Sequence, residues 1–112
     1  MPALQPPADD APAEEWGELA VRIPGWQCRP DAPVIGSIAW TVYRVDPDHW
    51  AWEGWMLTLL GDTLVHISTG FGDGHVVCII VDGDTVKGTG RTIGRACIAA
   101  VASIGRWPGG EE

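Results

Sequence analysis

The chain has 112 residues and a mass of 12.0 kDa, which is room for one domain. Hydrophobic residues make up 46% of it, so a packed core is within reach, while 15 glycines and 9 prolines call for many tight turns. Its longest apolar runs are about six residues against the roughly 20 that span a bilayer. The first fifteen residues carry acids and prolines in place of a secretory signal's basic start and apolar middle. A membrane-spanning helix is thereby excluded, and a cytoplasmic location is expected.

The net charge of −8 is unevenly placed. Asp9, Asp10, Glu14, Glu15 and Glu18 fall in residues 1–21, which hold no base, and Glu111 and Glu112 close the chain. The body between is nearly neutral. Within it, residues 85–110 contain Lys87, Arg91, Arg95 and Arg106 and no acid, a local positive charge able to attract phosphate or an acidic partner.

In chain order, residues 1–13 (MPALQPPADDAPA) hold too little apolar surface to order themselves and read as a disordered tail. Residues 14–22 predict a short helix with Trp16, Leu19 and Ile23 on one side, ended by Pro24-Gly25. Residues 24–33 read as an extended connector pinned by Trp26. From residue 34 the period becomes two: Val34, Ile38, Trp40 and Val42 share one face, with Ser37, Thr41 and Tyr43 on the other, which predicts a strand.

Asp46-Pro47-Asp48 signals a turn, after which residues 50–60 read as a second strand. Gly61-Asp62 then fits a two-residue hairpin leading to a third strand over residues 63–69. A glycine-rich segment, residues 70–74, precedes the continuous apolar run of a central strand at residues 75–81. Asp82-Gly83 turns the chain toward a short fifth strand at residues 84–87.

A C-terminal helix follows. Thr92 suits its N-cap, and Ile93, Ala96, Cys97, Ala100, Val101 and Ile104 make one apolar stripe. Gly105 suits the C′ position, and Pro108 blocks continuation. The expected fold is α+β: an antiparallel meander of four to five strands, a C-terminal helix packed on one face and a short N-terminal helix. The domain spans residues 14–107, with 108–112 a second acidic tail.

Seven tryptophans are many for so small a chain, and Trp50, Trp52 and Trp55 stand in one stretch, WAWEGW. On a strand, Trp50 and Trp52 share a face and Trp55 points away. Such rings fill small cores, anchor a protein interface or homodimer, or form a cage or stacking platform for a cation or base. The expected partner-binding residues are Trp50, Trp52, Trp55 and Tyr43.

A second candidate is the turn Gly88-Thr89-Gly90-Arg91-Thr92-Ile93-Gly94-Arg95, a glycine-rich approach to a helix N-terminus. It offers an anion or nucleic-acid site made of Lys87, Arg91, Thr92 and Arg95, or else a plain strand-to-helix turn. It lacks the Walker spacing, because Lys87 precedes Gly88. His66, His75 and Cys78, with Asp73 nearby, are residue types that bind zinc, yet their spacing is not that of a zinc module. No metal, no cofactor and no catalytic set is therefore expected. Cys28, Cys78 and Cys97, an odd number without close spacing, read as reduced, buried thiols with no disulfide framework.

Two resemblances rest on these residues. The segment from Gly88 through Arg91 and Arg95 to Ala100 resembles the glycine-rich turn and basic helix start of a double-stranded RNA-binding domain, which implies nucleic-acid contact. Thr92, Ala96, Cys97, Ala99 and Ala100 are also similar to the C-terminal helix of small phage and prophage proteins of the phage α-β-α sandwich kind. That likeness implies a phage accessory protein without chemistry of its own. Inhibitors of host defence such as anti-CRISPR proteins belong to this class and act by occupying a partner's surface. The sequence therefore predicts a non-enzymatic protein that binds another protein, such as a host complex.

Overall fold

A computed structural model describes residues 5–8, 10–26, 47–69 and 74–108, at Ala51 the backbone only. The chain is α+β. Helix α1 spans Ala13–Arg22, α2 spans Trp50–Leu60 and α3 spans Ile93–Ile104. Strands β1 (Leu64–Thr69), β2 (His75–Val81) and β3 (Asp84–Gly90) form an antiparallel sheet in the order β1-β2-β3.

Among the described residues there are thus three strands, fewer than the four to five expected. The first expected strand, with Tyr43, lies outside the described residues. The second, residues 50–60, is a helix, and this is a correction. Its buried residues are Trp52, Met56, Leu59 and Leu60, at helical spacing. An apolar run of this length fits both periods, and its Ala, Met, Leu and Glu favour the helix. Gly61-Asp62 is accordingly no hairpin. Gly61 takes a left-handed φ of +58°, and the 3-10 turn Gly61–Thr63 leads from α2 into β1.

The remaining elements follow their local signals. In α1, Glu14 and Glu15 in the first turn and Arg22 in the last complement the helix dipole. Asp82 (φ 54°) and Gly83 (φ 85°) both take left-handed backbone between the paired residues Val81 and Asp84, the geometry of a type I′ hairpin. The Thr92 side chain caps α3 by accepting from the Arg95 amide at 3.2 Å. At the other end Gly105, at φ 80°, donates its amide to the Val101 carbonyl at 2.8 Å.

Helix α3 sits at the centre of the packing. It touches β2, β3, α1 and α2, so Ile98 and Ala102 are buried as well as the predicted stripe of Ala96, Cys97, Ala100 and Val101. It lies directly on β3 because that strand offers no side chain in the way. A Cβ on Gly88 would run into the Ala96 carbonyl and the Ala100 backbone, and one on Gly90 would come within 2.7 Å of the Ala96 amide. The glycines of this segment therefore serve close backbone approach.

Three indoles bind α1 to the rest. Trp26 stacks on Trp52 at 6.0 Å and meets Trp107 at 5.5 Å. Buried Trp107 donates its ring N–H to the Ala20 carbonyl at 3.0 Å and its amide to the Pro24 carbonyl at 2.8 Å. Trp16, also buried, donates to the Ala8 carbonyl at 3.3 Å. Ala8 is thus held against α1.

Candidate partner-binding surface

Pro47 and Asp48 form a turn immediately before α2, and this turn meets the N-terminus of α3. A Cβ on Gly94 would strike the Pro47 carbonyl, so only glycine admits the approach. The contact gathers charge. Arg95, 7% exposed, is the one buried charged residue among the described residues. It donates from Nε to Asp48 Oδ1 at 2.9 Å and from Nη2 to Oδ2 at 2.8 Å, a bidentate pair. Its Nη1 reaches the Ala11 carbonyl at 2.8 Å, and its guanidinium lies 5.9 Å from the Trp16 ring centre.

The same carboxylate takes the Thr92 hydroxyl at 2.9 Å, and Glu53 Oε2 accepts from the Gly94 amide at 3.2 Å. Two of the protein's own acids thus occupy the positive end of α3. The hydrogen bond from Arg95 holds the Asp48 carboxyl below its ordinary range, outweighing the opposing effect of burial, and Thr92 and the charges of Arg95 and Arg91 add to it.

This changes the reading of the basic turn. Thr92 and Arg95, both expected to hold an external anion, are turned inward onto Asp48. Lys87 and Arg91 remain exposed. The histidines do not converge. His66 faces Cys78 across the β1–β2 ladder, whereas His75 faces Thr69, at 3.4 Å from its hydroxyl, and Asp73 lies outside the described residues. Among the described residues no three His, Cys, Asp or Glu side chains gather as a metal site would require.

The tryptophans separate into inner and outer groups. Trp52, expected as an anchor beside Trp50, is 5% exposed and belongs to the core, which follows from the helical period of α2. Trp55 is half-buried against the core. Trp50 is 72% exposed, with the His49 ring 5.4 Å from its own. Trp40 lies outside the described residues.

Helix α2 is apolar nearly all round, a composition ordinarily found in buried helices. Its exposed described residues are Trp50, Gly54 and Thr58, spaced i, i+4 and i+8 along one stripe. No charge lies on that stripe, since the helix's one acid, Glu53, is engaged at Gly94. A Cβ on Gly54 would have nothing within 4 Å. An exposed mid-helix glycine costs about 1 kcal/mol relative to alanine, and no contact among the described residues explains it. Sequence reasoning missed this stripe because it read residues 50–60 at period two. Taken at helical period, Trp50, Gly54 and Thr58 fall on one stripe.

No helix of the described residues is long and apolar enough to cross a membrane. Comparison of the chain with protein-family models, with curated proteins and with solved structures returns no match.

Proposed function

We propose that this protein works by binding another protein through the outer face of α2, with Trp50 as the anchor. One observation carries the reading: a tryptophan 72% exposed on an uncharged helical stripe. Exposed apolar patches mark contact sites, and tryptophan is the residue most enriched among interface hot spots. The open space at Gly54, one turn beyond Trp50, lets a partner's backbone or side chain come against the helix. In this reading Trp52 and Trp55 hold the helix in place, and Trp50 makes the contact.

A non-enzymatic phage accessory protein that occupies the surface of a host complex, as inhibitors of CRISPR-type defence do, is the specific form we favour. Its support is the resemblance of residues 92–100 described above. A surface without reactive groups of its own suits such a role.

The test is capture from the natural host with three baits: the wild-type chain, Trp50→Ala and Gly54→Arg. Both substitutions fall on exposed positions and leave the fold intact. The wild type should retain a defined protein that both variants lose, with at least about tenfold weaker binding for Trp50→Ala. Equal retention by all three baits would overturn the assignment of this face.

A further inference from the structure

The sheet packs α3 on one side only. Val77, Ile79, Gly88 and Gly90 are buried on the α3 side. The alternate residues, His66 and Ser68 on β1, Val76, Cys78 and Ile80 on β2, and Thr85, Lys87 and Thr89 on β3, share the opposite side. Among the described residues of the three strands that side holds no carboxylate, in a chain of net charge −8. At its centre the register sets His66 opposite Cys78 and Cys78 opposite Lys87. Directly opposed residues in antiparallel strands have Cβ atoms about 4.5–5.5 Å apart. An imidazole, a thiol and an ammonium therefore stand in one row across all three strands.

The flanking groups are exposed and Cys78 is half-exposed. We propose that the His66–Cys78–Lys87 row is a thiol-modification site for small anionic disulfides, with Lys87 holding the reagent's negative charge and His66 handling the proton. In the exchange, Cys78 gives its thiol proton to His66 and its sulfur attacks one sulfur of the reagent. The reagent's S–S bond breaks as the new one forms, and the departing thiolate takes the proton back from His66. Thiol and disulfide become mixed disulfide and thiol, so no outside oxidant is needed. Lys87 supplies the selectivity, because a positive charge beside the sulfur raises the local concentration of anions and lowers that of cations.

The molecule carries its own control. Cys97, on the buried face of α3, is fully enclosed, and burial, with the nearby Glu53 charge, pushes its thiol up to about 12. It should stay unmodified in the folded protein.

The experiment treats the native full chain with oxidised glutathione, an anionic disulfide, and in parallel with cystamine, a cationic one. Peptide mass spectrometry resolves each cysteine separately. Cys78 should form the glutathione mixed disulfide while Cys97 does not. Lys87→Gln should slow the glutathione reaction at Cys78 about threefold or more at low salt and leave or speed the cystamine reaction. His66→Gln should slow both. An anion-to-cation rate ratio at Cys78 that Lys87→Gln leaves unchanged, or a Cys78 no more reactive than Cys97, overturns the proposal. None of these residues lies on α2, so the outcome is independent of partner binding there.

Discussion

At the N-terminus of α3 the groups that would grip an anion already hold parts of the protein. The Gly94 amide has Glu53, while Thr92 and Arg95 share Asp48. On the outer face of α2 the situation is reversed. Trp50 projects, and the Cβ position of Gly54 faces open space. Both regions contain the residue types of a binding site, cations and glycines in the first and indoles and a glycine in the second. What distinguishes them is whether the chain's own atoms satisfy the groups. Glycine shows it best: Gly88 and Gly94 are explained by neighbouring backbone, Gly54 by nothing among the described residues.

Substitutions can break this contrast. The largest effect is expected at Gly88→Val, which forces a branched side chain into the α3 backbone. It should cost more than about 4 kcal/mol and abolish cooperative unfolding in urea. Asp48→Asn comes next. It removes the bidentate carboxylate from the buried Arg95 and should lower stability by about 2 kcal/mol, a figure reduced from that of a fully buried pair because the Asp48 side chain is 33% exposed. The pair also has a pH signature. A carboxyl lowered in the folded state stabilises the fold at pH above its unfolded value, and that contribution is lost as pH falls through the lower folded one. Wild-type stability should therefore decline below the ordinary 3.8 of Asp48, and less steeply in Asp48→Asn.

Smaller changes sharpen the other side. Gly54→Ala should stabilise the protein by about 0.5–1 kcal/mol, since the methyl meets no obstacle and the helix gains. A destabilised Gly54→Ala would mean that the chain does constrain this position. Trp50→Ala should move the urea midpoint by no more than about 0.5 kcal/mol equivalent, as expected for an exposed residue outside the core.

How much of this was legible in the sequence depended on distance along the chain. Helix α3 could be read because Thr92, the apolar stripe and Gly105 lie within fourteen residues and agree with one another. The Asp82-Gly83 hairpin was equally local. Helix α2 was misread because nearly every residue from Trp50 to Leu60 is apolar, so the pattern carries no face and strand and helix fit alike. The Arg95–Asp48 pair joins residues 47 positions apart, and the Arg95 bond to Ala11 spans 84. No local pattern reports such contacts. Nor does one report that Thr92 and Arg95 are both engaged by Asp48.

The division of the indoles has a practical corollary. Trp26, Trp52 and Trp107 lie close enough, at 6.0 and 5.5 Å, for their excited states to couple, so their circular dichroism in the near ultraviolet should follow the integrity of the interior. Among the described indoles Trp50 alone stands mostly in water, and its emission should belong to the red-shifted share that acrylamide quenches first. Without any added label, one kind of chromophore would distinguish a docked surface, which shields the quenchable share, from a loosened core, which erases the coupled signal.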